Sequence, residues 1–170
     1  MIRRAVLLVA ALMAMVAASA QTTQDFASKF MEKCPDDTAV SCVTISPKMM
    51  EQLTKQPDAA RNEHIAEAIQ KLKSARIVTA SVRADDYYAA AEELLKDNPQ
   101  RFRHAQDYHS AHARGTFYTR QTSSGDTVEL VMLHADTQSG RLVIVNLTGD
   151  IDREFVESLR KTFGGQPPKA

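Results

Sequence analysis

Apolar and polar residues follow their clearest pattern in the stretch from Asp126 to Phe163. Its first half predicts two strands, at 127–135 and 141–148, which are joined by a turn at 137–140. Apolar residues are nearly continuous in both strands, which is typical of strands buried on both faces of a sheet.

The second half of this stretch predicts a helix. Apolar residues recur four positions apart, at Ile151, Phe155, Leu159 and Phe163, so they share one helical face. We expect Asp150 to cap this helix at its N-terminus.

Before residue 101, the pattern predicts four more helices and two more strands. The helices are expected at residues 25–33, 48–53 and 62–73 and from Asp85 to Asn98. The strands are expected at 39–45 and 76–82, which are rich in β-branched residues. Asp85 and Asp86 should cap the fourth helix and place negative charge at its start.

Residues 101–122 contain strand-forming residues but are more polar, and they predict two further strands at 102–110 and 114–121. Consecutive strands usually lie side by side, so the last four strands should form an antiparallel meander. Together the elements predict an α+β fold. We expect an antiparallel sheet of about five or six strands, with the helices packed on one face.

The composition agrees with a single folded domain. The 170 residues are 44% hydrophobic and 25% charged, as in ordinary globular proteins. We expect one domain at residues 25–164, followed by a flexible tail at 165–170. The net charge is zero, so no overall field attracts nucleic acid.

The N-terminus has the pattern of a secretory signal peptide at residues 1–20. Arg3 and Arg4 precede an apolar run that is too short to span a membrane, and small residues end at Ala20. We predict cleavage between Ala20 and Gln21. We therefore expect a periplasmic or secreted protein whose mature chain has no transmembrane segment and no evident lipid anchor.

Export changes the interpretation of the two cysteines, Cys34 and Cys42. An oxidising compartment favours pairing of cysteines that lie close in sequence, so we predict a disulfide between them. Two buried thiols are the alternative. The spacing does not match the Cys-x-x-Cys of redox motifs.

Three segments carry packing and turn patterns: VTISPKMM at 43–50, IQKLKSARI at 69–77 and NLTGDI at 146–151. In these patterns the chain resembles the bacterial domain-of-unknown-function family 4252, over about residues 26–163. The resemblance implies a small exported protein of the Gram-negative envelope, with a signalling or envelope-stress role. It implies no catalytic residues. Many family members look like lipoproteins, whereas this chain lacks the cysteine that would accept a lipid.

The polar strands and their flanks hold basic and aromatic residues that form a candidate contact surface. The candidates are Arg101, Arg103, His104, Tyr108, His109, His112, Arg114, Tyr118 and Arg120. Such a surface would suit an anionic envelope polymer or an acidic patch on an envelope protein. Export argues against nucleic acid. The alternative is a solvated sheet face whose charges prevent aggregation at the edge.

Four histidines, His104, His109, His112 and His134, are also candidate metal ligands. Alternation along a strand would place His104 and His112 on one face and His109 on the other. The spacing matches no known metal motif, and Gly-x-Ser-x-Gly is absent. We therefore expect no metal, no cofactor and no identifiable catalytic residue.

The sequence thus favours an exported, non-catalytic binding or signalling module. One alternative is a small periplasmic hydrolase or metal-dependent enzyme that uses the histidine-rich strands. Another is an inhibitor or chaperone of a second exported protein. A concave pocket that joins a histidine to a carboxylate would favour an enzyme, whereas a flat histidine-bearing face would favour binding.

Overall fold

The computed structural model describes residues 24–34, 38–55 and 63–164. The predicted signal peptide at 1–20, its cleavage site between Ala20 and Gln21, and the predicted tail at 165–170 lie outside the described residues.

Within the described residues, the chain forms five helices and six strands. The helices are α1 Phe26–Glu32, α2 Pro47–Thr54, α3 Glu63–Gln70, α4 Ala84–Lys96 and α5 Arg153–Gly164. The strands are β1 Val40–Ile45, β2 Leu72–Ala80, β3 Arg103–His109, β4 Ala113–Gln121, β5 Thr127–Asp136 and β6 Arg141–Ile151. The predicted α+β class is confirmed.

All six strands belong to one antiparallel sheet, in the order β1-β2-β6-β5-β4-β3. The last four strands form the predicted meander, and β2 and β1 extend the sheet beyond β6. The two edge strands differ in character. β1 has no charged residue and pairs with β2 in an unbroken register, whereas β3 carries charged residues and a bulge in its pairing with β4.

Helices cover both faces of this sheet, not one face as the sequence pattern predicted. α1 and α4 pack on the first face, in a core that includes Val131 and Leu133 of β5. α2, α3 and α5 pack on the second face, against Leu130 and Met132. Because the central strands are apolar on both sides, a single layer of helices would leave one apolar side in water.

The last helix begins later than predicted. Asp152 caps α5 instead of Asp150, since its Oδ1 accepts a hydrogen bond of 2.7 Å from the backbone N–H of Phe155. β6 continues up to this point because Ile151 pairs with Thr127 of β5 and is buried in the second core.

The helix predicted over residues 62–73 ends at Gln70, and Leu72 and Lys73 belong to β2. Gly149 of β6 approaches the backbone around Leu72 so closely that a Cβ atom at this position would overlap it. The φ of Gly149 is +143°, in a region that glycine adopts most readily. Pairing of β2 with β6 therefore takes priority over the helical periodicity of this segment.

The start of α4 also differs from the prediction. Arg83 precedes the helix with a φ of +53° and makes no side-chain capping bond. Asp85 and Asp86 lie in the first turn rather than at the cap. Their charges still favour the positive end of the helix dipole.

The two cysteines both pack against the core of the first face. No bond joins Cys34 and Cys42 in this structure, so the disulfide stays a prediction. Burial raises the pKa of the Cys42 thiol, which disfavours the thiolate that reacts in disulfide chemistry.

A buried carboxylate fixes α1 on the first face. The side chain of Glu129 in β5 is fully buried, and its Oε1 accepts a hydrogen bond of 2.8 Å from the backbone N–H of Phe26. The Oδ1 of Asn146 in β6 accepts one of 2.9 Å from the N–H of Ala27. Asp25 accepts a third, of 2.8 Å, from the N–H of Ser28. Groups from the sheet therefore satisfy two of the free N–H groups at the start of this helix.

Two arginines balance the charge of Glu129. Its Oε2 lies 3.0 Å from Nη2 of Arg101 and 2.8 Å from Nε of Arg120. The Nδ2 of Asn146 donates to Oε1 at 3.1 Å. A buried carboxylate is tolerated when it is paired and hydrogen-bonded in this way. We call these four side chains, Arg101, Arg120, Glu129 and Asn146, the Glu129 cluster.

Replacement of Glu129 by leucine should destabilise the protein by about 3 kcal/mol or more, because it removes the carboxylate that pairs with Arg101 and Arg120 and leaves the buried N–H of Phe26 without its acceptor. Urea denaturation measures the loss in the free energy of unfolding. Glu93→Leu, the same change at an exposed position of α4, should alter it by less than about 0.5 kcal/mol. Equal effects of the two changes would show that the cluster does not hold the fold.

Candidate functional site

α4 and the edge strand β3 enclose a groove on the first face of the sheet, with a volume of about 420 Å³. We call it the α4–β3 groove. Its lining residues are Glu92, Leu95, Lys96, Pro99, Phe102, His104, Asp107 and Tyr118. The volume lies in the range of small-ligand sites, and His104 and Tyr118 belong to the contact surface expected from the sequence.

The floor of the groove is apolar and rigidly held. Leu95 of α4, Tyr118 of β4 and Phe102, which precedes β3, are all buried. Phe102 packs edge-to-face on Phe26 of α1, with ring centroids 5.9 Å apart. Its backbone N–H donates to the carbonyl of Asn98 at 2.9 Å, which closes the turn between α4 and β3.

The rim carries one ion pair and one histidine–carboxylate hydrogen bond. Nζ of Lys96 lies 2.9 Å from Glu92 one turn earlier in α4, and Nε2 of His104 lies 2.8 Å from Oδ1 of Asp107. The hydrogen bond from His104 lowers the pKa of the Asp107 carboxyl, and the hydrogen bond to Glu92 raises the pKa of Lys96. Both groups are therefore charged near neutral pH, and the rim offers both signs.

A larger depression, of about 570 Å³, lies between the β4–β5 turn and the start of α5. Three of its four carboxylates have local partners, and one of them is Glu157, which lies 2.9 Å from Arg160. Asp152 caps α5, and Asp126 accepts a hydrogen bond of 2.6 Å from Ser124 within the turn. We therefore place the candidate site in the smaller α4–β3 groove.

The histidines do not follow the predicted alternation. A bulge between His104 and Gln106 shifts the register, so His104 pairs with Tyr118 and His109 with Arg114. Both histidines consequently face the same side of the sheet, and the prediction that they lie on opposite faces is wrong. His112 lies outside the strands, in the exposed β3–β4 connection.

Three of the predicted contact arginines are engaged within the protein. Arg101 and Arg120 belong to the Glu129 cluster. Arg114 lies 2.7 Å from Asp85 of α4, and its guanidinium stacks 4.4 Å above the ring of Tyr88. Arg103, by contrast, is exposed. The basic surface expected from the sequence is thus mostly neutralised by internal carboxylates.

Tyr108, another predicted contact residue, is a packing residue of the second face. It is buried, and its hydroxyl forms a hydrogen bond of 2.5 Å with Nδ1 of His134. Its ring occupies the space above Gly115, where a Cβ atom would overlap it. Burial raises the pKa of the Tyr108 hydroxyl.

Three rim residues, Glu92, Lys96 and Asp107, were not among the candidates drawn from the sequence. The spacing of Glu92 and Lys96, one helical turn apart at the end of the helix that precedes β3, is a signal that would have indicated the ion pair. Asp107 stands out as the only acid within a basic strand.

Among the described residues, no three His, Cys, Asp or Glu side chains come together as they would around a metal ion. In that same part of the chain, none of the helices is long and apolar enough to cross a membrane.

Comparison with known proteins finds a match to the family model described as Domain of unknown function (DUF4252), over residues 30–159. The search of curated proteins finds no match.

Two solved structures show distant similarity. A protein of unknown function from Pseudomonas aeruginosa, PA94, described as a putative regulator, is 11% identical and has a TM-score of 0.33. The match covers 79% of this chain and 86% of that chain. The Ran-binding protein Mog1p of Saccharomyces cerevisiae is also 11% identical, with a TM-score of 0.27, over 56% of this chain and 58% of that chain. Scores this low carry no argument about function.

Replacement of His104 by alanine should raise the pKa of Asp107, because it removes the hydrogen bond that lowers it most. The folded-state pKa lies below the unfolded one. The pair therefore stabilises the fold above the unfolded pKa, and this contribution disappears as the pH falls through the folded value. An NMR titration of the Asp107 carboxyl measures the change.

Asp136 serves as an internal control for this titration. Hydrogen bonds from the backbone of Ser139 and Gln138 lower its pKa, so it should titrate identically in both proteins. An unchanged pKa of Asp107 in the His104→Ala variant would contradict the assigned cause.

Proposed function

Given that the chain belongs to the family Domain of unknown function (DUF4252), we propose that it is an exported, non-catalytic binding module of the Gram-negative envelope. The α4–β3 groove is the observation that carries the proposal. It combines an apolar floor with a rim of paired polar side chains, next to the edge of the sheet.

The chemistry of the groove favours an extended peptide segment of another exported protein. Leu95, Phe102 and Tyr118 offer an apolar surface for one side chain of such a peptide. The paired side chains at the rim can bind its backbone and neighbouring polar groups. An anionic polymer is the poorer partner, because Arg101, Arg114 and Arg120 are already paired with internal carboxylates.

Export is supported by the N-terminal pattern of two arginines, an apolar run and small residues up to Ala20. Because an exported protein encounters other envelope proteins, its peptide partner should be one of them.

A hydrolase is the second candidate, favoured by the pairing of His104 with Asp107 at the rim of a concave groove. A histidine oriented by a carboxylate is a common general base. The residues that line the groove, however, include no Ser, Thr or Cys that would serve as a nucleophile. Binding therefore accounts for the groove better.

Cell fractionation should recover the protein from the periplasm or the medium, with a mature N-terminus at Gln21. The reason is that the apolar run directs export and the small residues before Gln21 direct cleavage. A variant without residues 2–20 should remain in the cytoplasm. A native protein that is recovered with Met1 intact would contradict export by cleavage.

Selection from a random peptide library on the purified protein should yield peptides that share one apolar residue with polar neighbours. Lys96→Glu places a second carboxylate beside Glu92 and removes the rim cation, so it should weaken binding of these peptides by about tenfold or more. Lys73→Glu, at an exposed position of β2, should leave binding unchanged. Affinities can be measured by fluorescence anisotropy.

Two outcomes would contradict the peptide-binding role. One is that Lys96→Glu and Lys73→Glu weaken binding equally. The other is turnover of ester or peptide substrates that His104→Ala abolishes, which would support the hydrolase instead.

A further inference from the structure

The second face of the sheet contains a cavity that is separate from the α4–β3 groove. It lies between strands β2, β5 and β6 and the helices α2, α3 and α5, and its volume is about 220 Å³. Its walls include Met50, Leu72, Leu130, Met132, Leu147 and Phe155.

The lining of this cavity is entirely apolar, because all of its lining residues in the described part of the chain are aliphatic, Met, Ala or Phe. A water molecule inside would find none of the two to four polar partners that hold a buried water. An apolar ligand is therefore favoured over water. Met50 and Met132 can adapt to its shape because their side chains are flexible.

The cavity follows a row of side chains across the sheet. Ile45 pairs with Ala75, Ala75 with Leu147, and Leu147 with Leu130. This row crosses four adjacent strands, a distance of roughly 14 Å. A volume of about 220 Å³ spread along that length leaves a narrow cross-section, which suits an extended chain better than a ring.

We propose that this cavity binds one unbranched alkyl chain, of the kind carried by fatty acids, with its polar head outside the protein. An apolar cavity of about 150 Å³ holds benzene, which has six carbons. By proportion, the present cavity holds roughly nine carbons. The site is independent of the peptide-binding groove, which lies on the other face of the sheet.

Isothermal titration calorimetry with straight-chain alkanoates of four to fourteen carbons tests the proposal on the purified protein. Each methylene that enters the cavity should tighten binding about fourfold. The gain should stop at roughly nine buried carbons. Affinity that does not depend on chain length would overturn the proposal.

Two leucine variants test whether the alkyl chain binds inside this cavity. Ala75 lies in the middle of the row, so Ala75→Leu should fill the cavity and weaken octanoate binding by about tenfold or more. Ala89→Leu adds the same atoms at an exposed position of α4 and should have no effect. Thermal unfolding verifies that both variants fold. Unchanged binding by Ala75→Leu would place the ligand elsewhere and overturn the assignment.

A second variant keeps the test valid if Ala75→Leu does not fold. Met50→Ala removes three heavy atoms from the wall, so the gain in affinity should continue for about three more carbons. A plateau at the same chain length in Met50→Ala and the native protein would also overturn the assignment.

The alkyl chain could come from a free fatty acid or from an acylated lipid. Binding of free alkanoates alone identifies the first source. Cosedimentation with phosphatidylglycerol vesicles that octanoate reverses identifies the second. Absence of both kinds of binding overturns the proposal.

Discussion

The buried carboxylate of Glu129 is the interaction on which the first face of the protein depends. It joins the start of α1 to β5, and through Arg101, Arg120 and Asn146 it joins the segment before β3 to β4 and β6. Its charge is buried at a cost that only this complete set of partners offsets. The α1 side chain of Phe26 then supports Phe102, the floor of the α4–β3 groove. The candidate site thus rests on a polar cluster that does not line the groove.

The periodicity of apolar residues identified the helices and strands, because burial of their faces in the core imposes that periodicity on the sequence. β5 and β6 are apolar on both sides, and this pattern correctly indicated strands in the centre of the sheet. The same observation already implied two layers of helices, since two buried faces need two covers. The expectation of one helical layer overlooked this consequence. Element ends were less predictable, because pairing of Ile151 with Thr127 and the close approach of Gly149 to β2 join residues far apart in sequence.

The candidate site was only partly predictable from the sequence. His104 and Tyr118 were identified and do line the groove, but Arg101 and Arg120 point to a carboxylate in a different strand. Arg120 lies opposite Glu129 in the β4–β5 hairpin, whereas nothing local to Arg101 reveals that partner. The bulge at His104 and Gln106 had a similar effect, since one inserted residue changes which side chains share a face. The basic and aromatic residues of the sequence therefore indicated where the candidate site lies. The register of the sheet determines which of these side chains lie close together.

The unequal edges of the sheet limit how copies of this protein can associate. Within the described part of the chain, the uncharged edge strand β1 pairs on one side only, whereas the charges and bulge of β3 oppose a further strand. If two copies joined through β1, each would present only its protected β3 edge to the outside. Growth would then stop at a closed pair, because no compatible edge remains for a third copy. An asymmetry of this kind would favour a closed pair of copies over a fibre.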